Sequence, residues 1–110
     1  MADPKISLDQ WNVLVSVVEA GSYAKAAERI HKSQSTLTYS IKKLESLLGV
    51  RVFELKGRKA ALTPTGELLY RRAKTLLENT ARLEQAAGEL ARGWEPEIRL
   101  AVDIIFPTWL

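Results

Sequence analysis

The chain has no cysteine and only one histidine among its 110 residues. Disulfides, thiolate metal sites and cysteine nucleophiles are therefore excluded, and a reducing cytosol suits the composition. There is no glycine-rich phosphate loop and no pair of metal ligands at usable spacing. That inventory does not equip an enzyme, so no catalytic residue, metal or cofactor is expected. Long apolar runs are missing as well. The opening MADPKISLDQW lacks the apolar stretch of a signal peptide. The tail over residues 98–110 is interrupted by Arg99 and Asp103 and is too short and too charged to span a membrane.

What is present is the composition of a folded, water-soluble protein, 46% hydrophobic and 26% charged. The length suits one modest domain plus a long helix. Net charge is +3, but it is unevenly spread. Residues 1–62 carry ten Lys or Arg against six Asp or Glu, whereas residues 63–110 carry six against seven. A basic first part beside a nearly neutral second part suits a DNA-contacting head on a stalk. By itself, such a face can equally be solvated surface charge.

Residues 22–49, SYAKAAERIHKSQSTLTYSIKKLESLLG, read as two short helices with a tight break. Ser7 and Gln10 form a capping box for a preceding helix, with Leu8, Trp11, Leu14, Val15 and Val18 at helical spacing. Gly21 stops that helix, and Ser22 caps the next. Tyr23, Ala26, Ala27 and Ile30 give the next helix one buried stripe, whose alanines admit a close neighbour. His31 and Lys32 make the break, Ser33 caps the third helix and Gly49 ends it. In that third helix Leu37, Ile41, Leu44 and Leu48 share one face. The opposite face carries Gln34, Ser35, Thr36, Thr38, Tyr39, Lys42 and Lys43, which can meet base edges and phosphates, as a recognition helix does. Gln34 can pair with adenine. Thr38 offers a hydroxyl and a methyl. Tyr39 can donate to phosphate, lie against a sugar or simply shield the helix. The helix N-termini at Ser22 and Ser33 can turn backbone N–H groups towards phosphates.

The period then changes. VRVFELKGRKAALT reads as a small β-hairpin turning at Gly57, a wing that puts Arg58 and Lys59 within reach of a phosphate or a minor groove. Thr63 as cap and Pro64 as first residue start a long helix, free of breakers over residues 67–87 and running, past the tolerated Gly88, to Arg92, about 45 Å in all. Leu69, Ala73, Leu76, Thr80, Leu83, Ala87 and Leu90 alternate four- and three-residue steps, a heptad seam that favours a second copy of the chain over a long helix folded along its own domain. Gly93, Trp94, Glu95 and Pro96 form a hinge. Beyond it Ile98, Leu100, Val102 and Ile104 alternate as in a strand. The chain stops in apolar sequence, as a fragment cut just inside a following domain would. The expected fold is mainly α: a winged helix-turn-helix of three helices plus a small hairpin over residues 1–62, a linker and dimerisation helix over 63–93, then the hinge and the start of a further domain over 94–110.

In that order of elements, GSYAKAAERIHKSQSTLTYSIKKLESLLGVRVFE followed by GRKAALTPTGE strongly resembles the N-terminal part of LysR-type transcriptional regulators over about residues 6–92. The resemblance implies a winged-helix DNA-binding domain on a linker helix that dimerises antiparallel. It implies binding to interrupted palindromes in double-stranded DNA, tetramers at full length, and a small-molecule inducer held by the domain missing here. A cytoplasmic, nucleoid-associated location follows, with no membrane partner. By position Gln34, Ser35 and Thr38 match contacting places of the recognition helix, and Arg58 matches the wing. Ser35 stands where many members have proline, and Tyr39 where many have arginine. Loss of that arginine removes a bidentate contact. The competing reading is a winged-helix and coiled-coil module for protein–protein contact without DNA; the basic wing and the uncharged polar recognition face speak against it.

Overall fold

A computed structural model describes residues 3–93. The expected hinge after Gly93 and the strand over residues 98–105 lie outside the described residues. Four helices and one hairpin follow in the order α1 (Leu8–Ala20), α2 (Tyr23–Ile30), α3 (Gln34–Leu48), β1 (Phe53–Lys56), β2 (Lys59–Leu62) and α4 (Pro64–Ala91). Among the described residues, no helix is long and apolar enough to cross a membrane.

Local chemistry sets each boundary. Ser7 Oγ accepts the Gln10 N–H at 3.1 Å while the Gln10 side-chain oxygen accepts the Ser7 N–H at 2.9 Å, so two orphan donors of α1 are satisfied reciprocally. Gly21 ends α1 in the left-handed region at φ 85°. Ser22 caps α2 through the Lys25 N–H. His31 closes α2 at φ 56°, a left-handed conformation that an L-residue other than glycine adopts rarely. Here it makes the tight break between α2 and α3.

The core lies where α1, α2 and α3 meet. Leu14, Leu37 and Leu44 are wholly buried, as are Val52 and Ala26. In α3 the face expected to be apolar is buried at Leu37, Ile41 and Leu44, but Leu48, in the last turn, stays 37% exposed. In α1 the buried face is broader than the expected one. Leu14 and Val15 are buried and Trp11 and Val18 half-buried as expected, Val13 and Val17 are buried as well, and Leu8 is exposed. The run VLVSVV offers apolar residues on two adjacent stripes. Contact with both α2 and α3 uses both.

The hairpin is antiparallel, pairing Phe53 with Leu62 and Lys56 with Lys59, with Gly57 at φ 67° in its turn. Thr63 joins it to α4. Its N–H donates to the Val52 carbonyl at 2.9 Å, its hydroxyl donates to the Arg51 carbonyl, and the same oxygen accepts the Gly66 N–H at 2.9 Å. One threonine thus caps α4 and fastens it to the strand entry. Gly66 is there because nothing larger fits: a Cβ on it would stand 2.3 Å from the Val52 carbonyl oxygen.

The chain divides into two compact units, Met1–Leu77 and Glu78–Leu110. The first therefore reaches beyond residue 62 and includes the start of α4. Leu69 packs against the head core and Ala73 is buried within the single chain. Glu19 on α1 accepts from the Tyr70 hydroxyl at 2.9 Å and pairs with Lys74 at 3.0 Å. The hydrogen bond from Lys74, then that from Tyr70, holds the Glu19 carboxyl below its usual range. In α4, Leu76, Leu83 and Leu90 are exposed.

Candidate nucleic-acid interface

The recognition helix is built from its cap outward. Ser33 Oγ accepts the Thr36 N–H at 3.1 Å and lies 2.6 Å from the Thr36 hydroxyl. It is also 3.2 Å from the Ser35 hydroxyl. These groups stabilise the start of α3, so Ser33, Ser35 and Thr36 share one capping network. Ser22 caps α2 in the same way, accepting the Lys25 N–H at 3.1 Å.

Gln34, Ser35, Thr38, Tyr39 and Lys42 line one open depression on α3. The structure therefore brings five of the expected contact residues together. Thr38 differs from its expected part in one respect. Its hydroxyl donates to the Gln34 carbonyl at 3.1 Å, as threonine does inside helices. The proton is used within the helix, leaving the methyl and the oxygen's remaining lone pair to face a partner. Lys43 sits with its amine 5.9 Å from the centre of the Tyr39 ring, one helical turn away, a cation–π contact at a solvated site.

Lys32, in the break, pairs with Asp9 of α1 at 2.9 Å. Both side chains are open to solvent, and such a pair contributes at most about 1 kcal/mol, so a phosphate can compete for the amine. The aspartate was not among the expected site residues. A partner 23 positions away leaves no local pattern to read.

Glu45 is the second residue that the sequence did not single out. From the outer half of α3 its carboxylate accepts the Val52 N–H at 2.7 Å and the Phe53 N–H at 3.3 Å. It fixes the first residue of β1, and hence the hairpin, against the recognition helix. Beside it, Lys42, Glu45, Arg51, Phe53 and Leu55 line a groove between α3 and β1 together with Tyr23. Burial, and secondarily the Glu45 charge, pushes the Tyr23 phenol up to about 12. Its ring tilts against Phe53 at 6.0 Å. Arg58 and Lys59 at the hairpin tip are exposed. The whole assembly presents a capped polar helix and a basic loop, each held by the same head.

The bacterial regulatory helix-turn-helix pattern of the lysR family matches residues 8–67. The chain is 35% identical over 100 residues to the HTH-type transcriptional regulator YeeY of Escherichia coli K12, covering 91% of this chain and 32% of that protein. It is 33% identical over 103 residues to the probable regulator YhaJ of the same organism, covering 94% of this chain and 35% of that protein. It thus spans about a third of the length of the curated relatives it matches. Among solved structures, the BenM DNA-binding domain in complex with catB site 1 DNA superposes with a TM-score of 0.76 at 32% identity, covering 80% of this chain and 95% of that one. The CbnR DNA-binding domain in its DNA complex gives 0.72 at 32% identity, covering 78% and 99%. Sequence, hairpin and capped third helix agree: the chain belongs to the LysR family of bacterial transcriptional regulators and carries that family's winged helix-turn-helix DNA-binding domain.

Proposed function

We propose that this chain binds double-stranded DNA sequence-selectively as a homodimer. α3 enters the major groove, the hairpin tip reaches the flanking backbone or minor groove, and α4 joins two copies. The observation that carries the reading is the exposed cluster of Gln34, Ser35, Thr38, Tyr39 and Lys42 on one capped helix, beside a hairpin with Arg58 and Lys59 at its tip. Gln34 can form a bidentate pair with adenine, a contact that discriminates by about 1–3 kcal/mol. Lys42, Lys43, Arg58 and Lys59 neutralise phosphates and release counterions. Ser33 leads the backbone N–H groups of the first turn of α3 towards the duplex, where an anion is favoured. The similar domains solved as DNA complexes support the DNA-binding reading.

Dimerisation rests on the recurrence of Leu76, Leu83 and Leu90 every seven residues along α4, with Leu83 and Leu90 more than half exposed. Apolar side chains at that spacing suit a partner helix. Two heads related by a two-fold axis read an inverted repeat, each half-site facing one α3. In this reading the protein works in the bacterial cytoplasm on nucleoid DNA. By resemblance to the family, tetramer formation and response to a small-molecule inducer are further parts of this reading.

Selection of bound sequences from random duplexes tests the proposal. Enrichment of an interrupted inverted repeat is the expected result. Recovery of no sequence above background overturns it and leaves the protein-contact module as the better reading.

A further inference from the structure

Among the described residues, Tyr39 is the one exposed aromatic side chain, with 66% of its surface open. It stands on α3 next to Thr38, whose hydroxyl proton is already given to the Gln34 carbonyl. The depression these residues share has a wall made mainly of carbon. The Lys43 amine lies 5.9 Å from the centre of the Tyr39 ring, and most of the ring stays open. The proposed contact face therefore holds an apolar spot, the Tyr39 ring and the Thr38 methyl, flanked by the polar groups of Gln34, Ser35 and Lys42.

We propose that Tyr39, together with the Thr38 methyl, is a specificity-determining element that reads the C5-methyl group of thymine in the major groove. The proposal rests on the DNA-binding reading and deepens it. Of the four bases, thymine alone presents an apolar group on its major-groove edge. A carbon-lined patch gains by covering that methyl. The same patch against cytosine desolvates an amino donor without giving it a partner, which is unfavourable. A phosphate contact by the Tyr39 hydroxyl is the competing arrangement, and the two differ in which part of the side chain matters.

The experiment uses fluorescence-anisotropy titrations of the whole chain on its selected duplex. Copies carry deoxyuridine in place of thymidine, one position at a time. Uridine at one or two neighbouring positions of each half-site is expected to weaken binding about fourfold, the factor that burying one methyl group supplies. Tyr39→Phe should keep the preference for thymine, and Tyr39→Ala should bind both duplexes alike. Each variant is accepted after its thermal midpoint matches the parent, which the exposure of Tyr39 favours. Equal binding of every uridine duplex by the parent overturns the proposal. So does a Tyr39→Phe variant that loses as much discrimination as Tyr39→Ala, since the hydroxyl then carries the contact. Sequence-selective binding that ignores uridine refutes this inference alone. Failure to bind any duplex refutes the DNA-binding reading itself.

Discussion

Replacing Gly66 with alanine tests the fit between α4 and the strand entry. The new Cβ would lie 2.3 Å from the Val52 carbonyl oxygen and 2.9 Å from a Leu62 methyl. Non-bonded contacts to carbon settle near 3.5 Å, so about an ångström must open. The Val52 oxygen cannot retreat freely, because it also accepts the Thr63 N–H at 2.9 Å. Overpacking of this kind costs about 1–3 kcal/mol, and loss of a backbone hydrogen bond adds roughly 1 kcal/mol. Better helix propensity returns about 1 kcal/mol. A net loss of about 2 kcal/mol remains, which lowers the melting temperature of a domain this size by roughly 8–16 °C. Gly88 is the internal control on the same helix. There the nearest atom to a new Cβ is the flexible Arg92 guanidinium at 3.4 Å, so alanine should leave the midpoint unchanged or raise it. Thermal unfolding followed by circular dichroism compares the two variants. A Gly66→Ala protein as stable as Gly88→Ala would refute the packing argument.

Further expectations concern the wing, the seam and the alkaline limit of the fold. Glu45→Ala strips the acceptor from the Val52 and Phe53 N–H groups, a loss of about 1–3 kcal/mol; amide hydrogen exchange should quicken at those two residues first. Leu83, 71% exposed in the single chain, is expected at the seam. Leu83→Glu removes two leucines from each dimer, about 3 kcal/mol or roughly a hundredfold in dimer Kd, which sedimentation equilibrium reads. Tyr23 has its phenol raised from 10.0 to about 12 by burial and the Glu45 charge. A pKa raised by folding gives stability that is intact below 10 and is lost as pH climbs towards 12. Tyr23→Phe should therefore flatten the alkaline limb of stability in that window.

The element boundaries were legible in the sequence because caps are local chemistry. Ser7 with Gln10, Ser22, Ser33, Gly21, Gly49 and Thr63 with Pro64 act within a few residues of themselves, and each stands where the pattern put it. The buried face of α3 was legible because polar residues fill its other side. The face of α1 was legible in part: Leu14 and Val15 are buried as read, but Val13 and Val17 join them, since the apolar run fits two stripes and long-range contacts use both. Glu45 and Asp9 escaped notice for the same reason: their partners arrive from other elements. The LTPTG stretch pointed to the family, but the carbonyl that forbids a side chain at Gly66 is visible only once Val52 is in place. The heptad pattern read Leu69 and Ala73 as seam positions, yet both are taken up within the single chain, because the first turns of α4 belong to the head.

The salt dependence of duplex binding reaches the central claim most directly. Lys42, Lys43, Arg58 and Lys59 from each of two heads offer about eight phosphate contacts, so log K against log salt should fall with a slope of about −7. Removing Arg58 from both heads should make the slope shallower by about 2, with selectivity among sequences unchanged. A duplex affinity indifferent to salt would contradict the account.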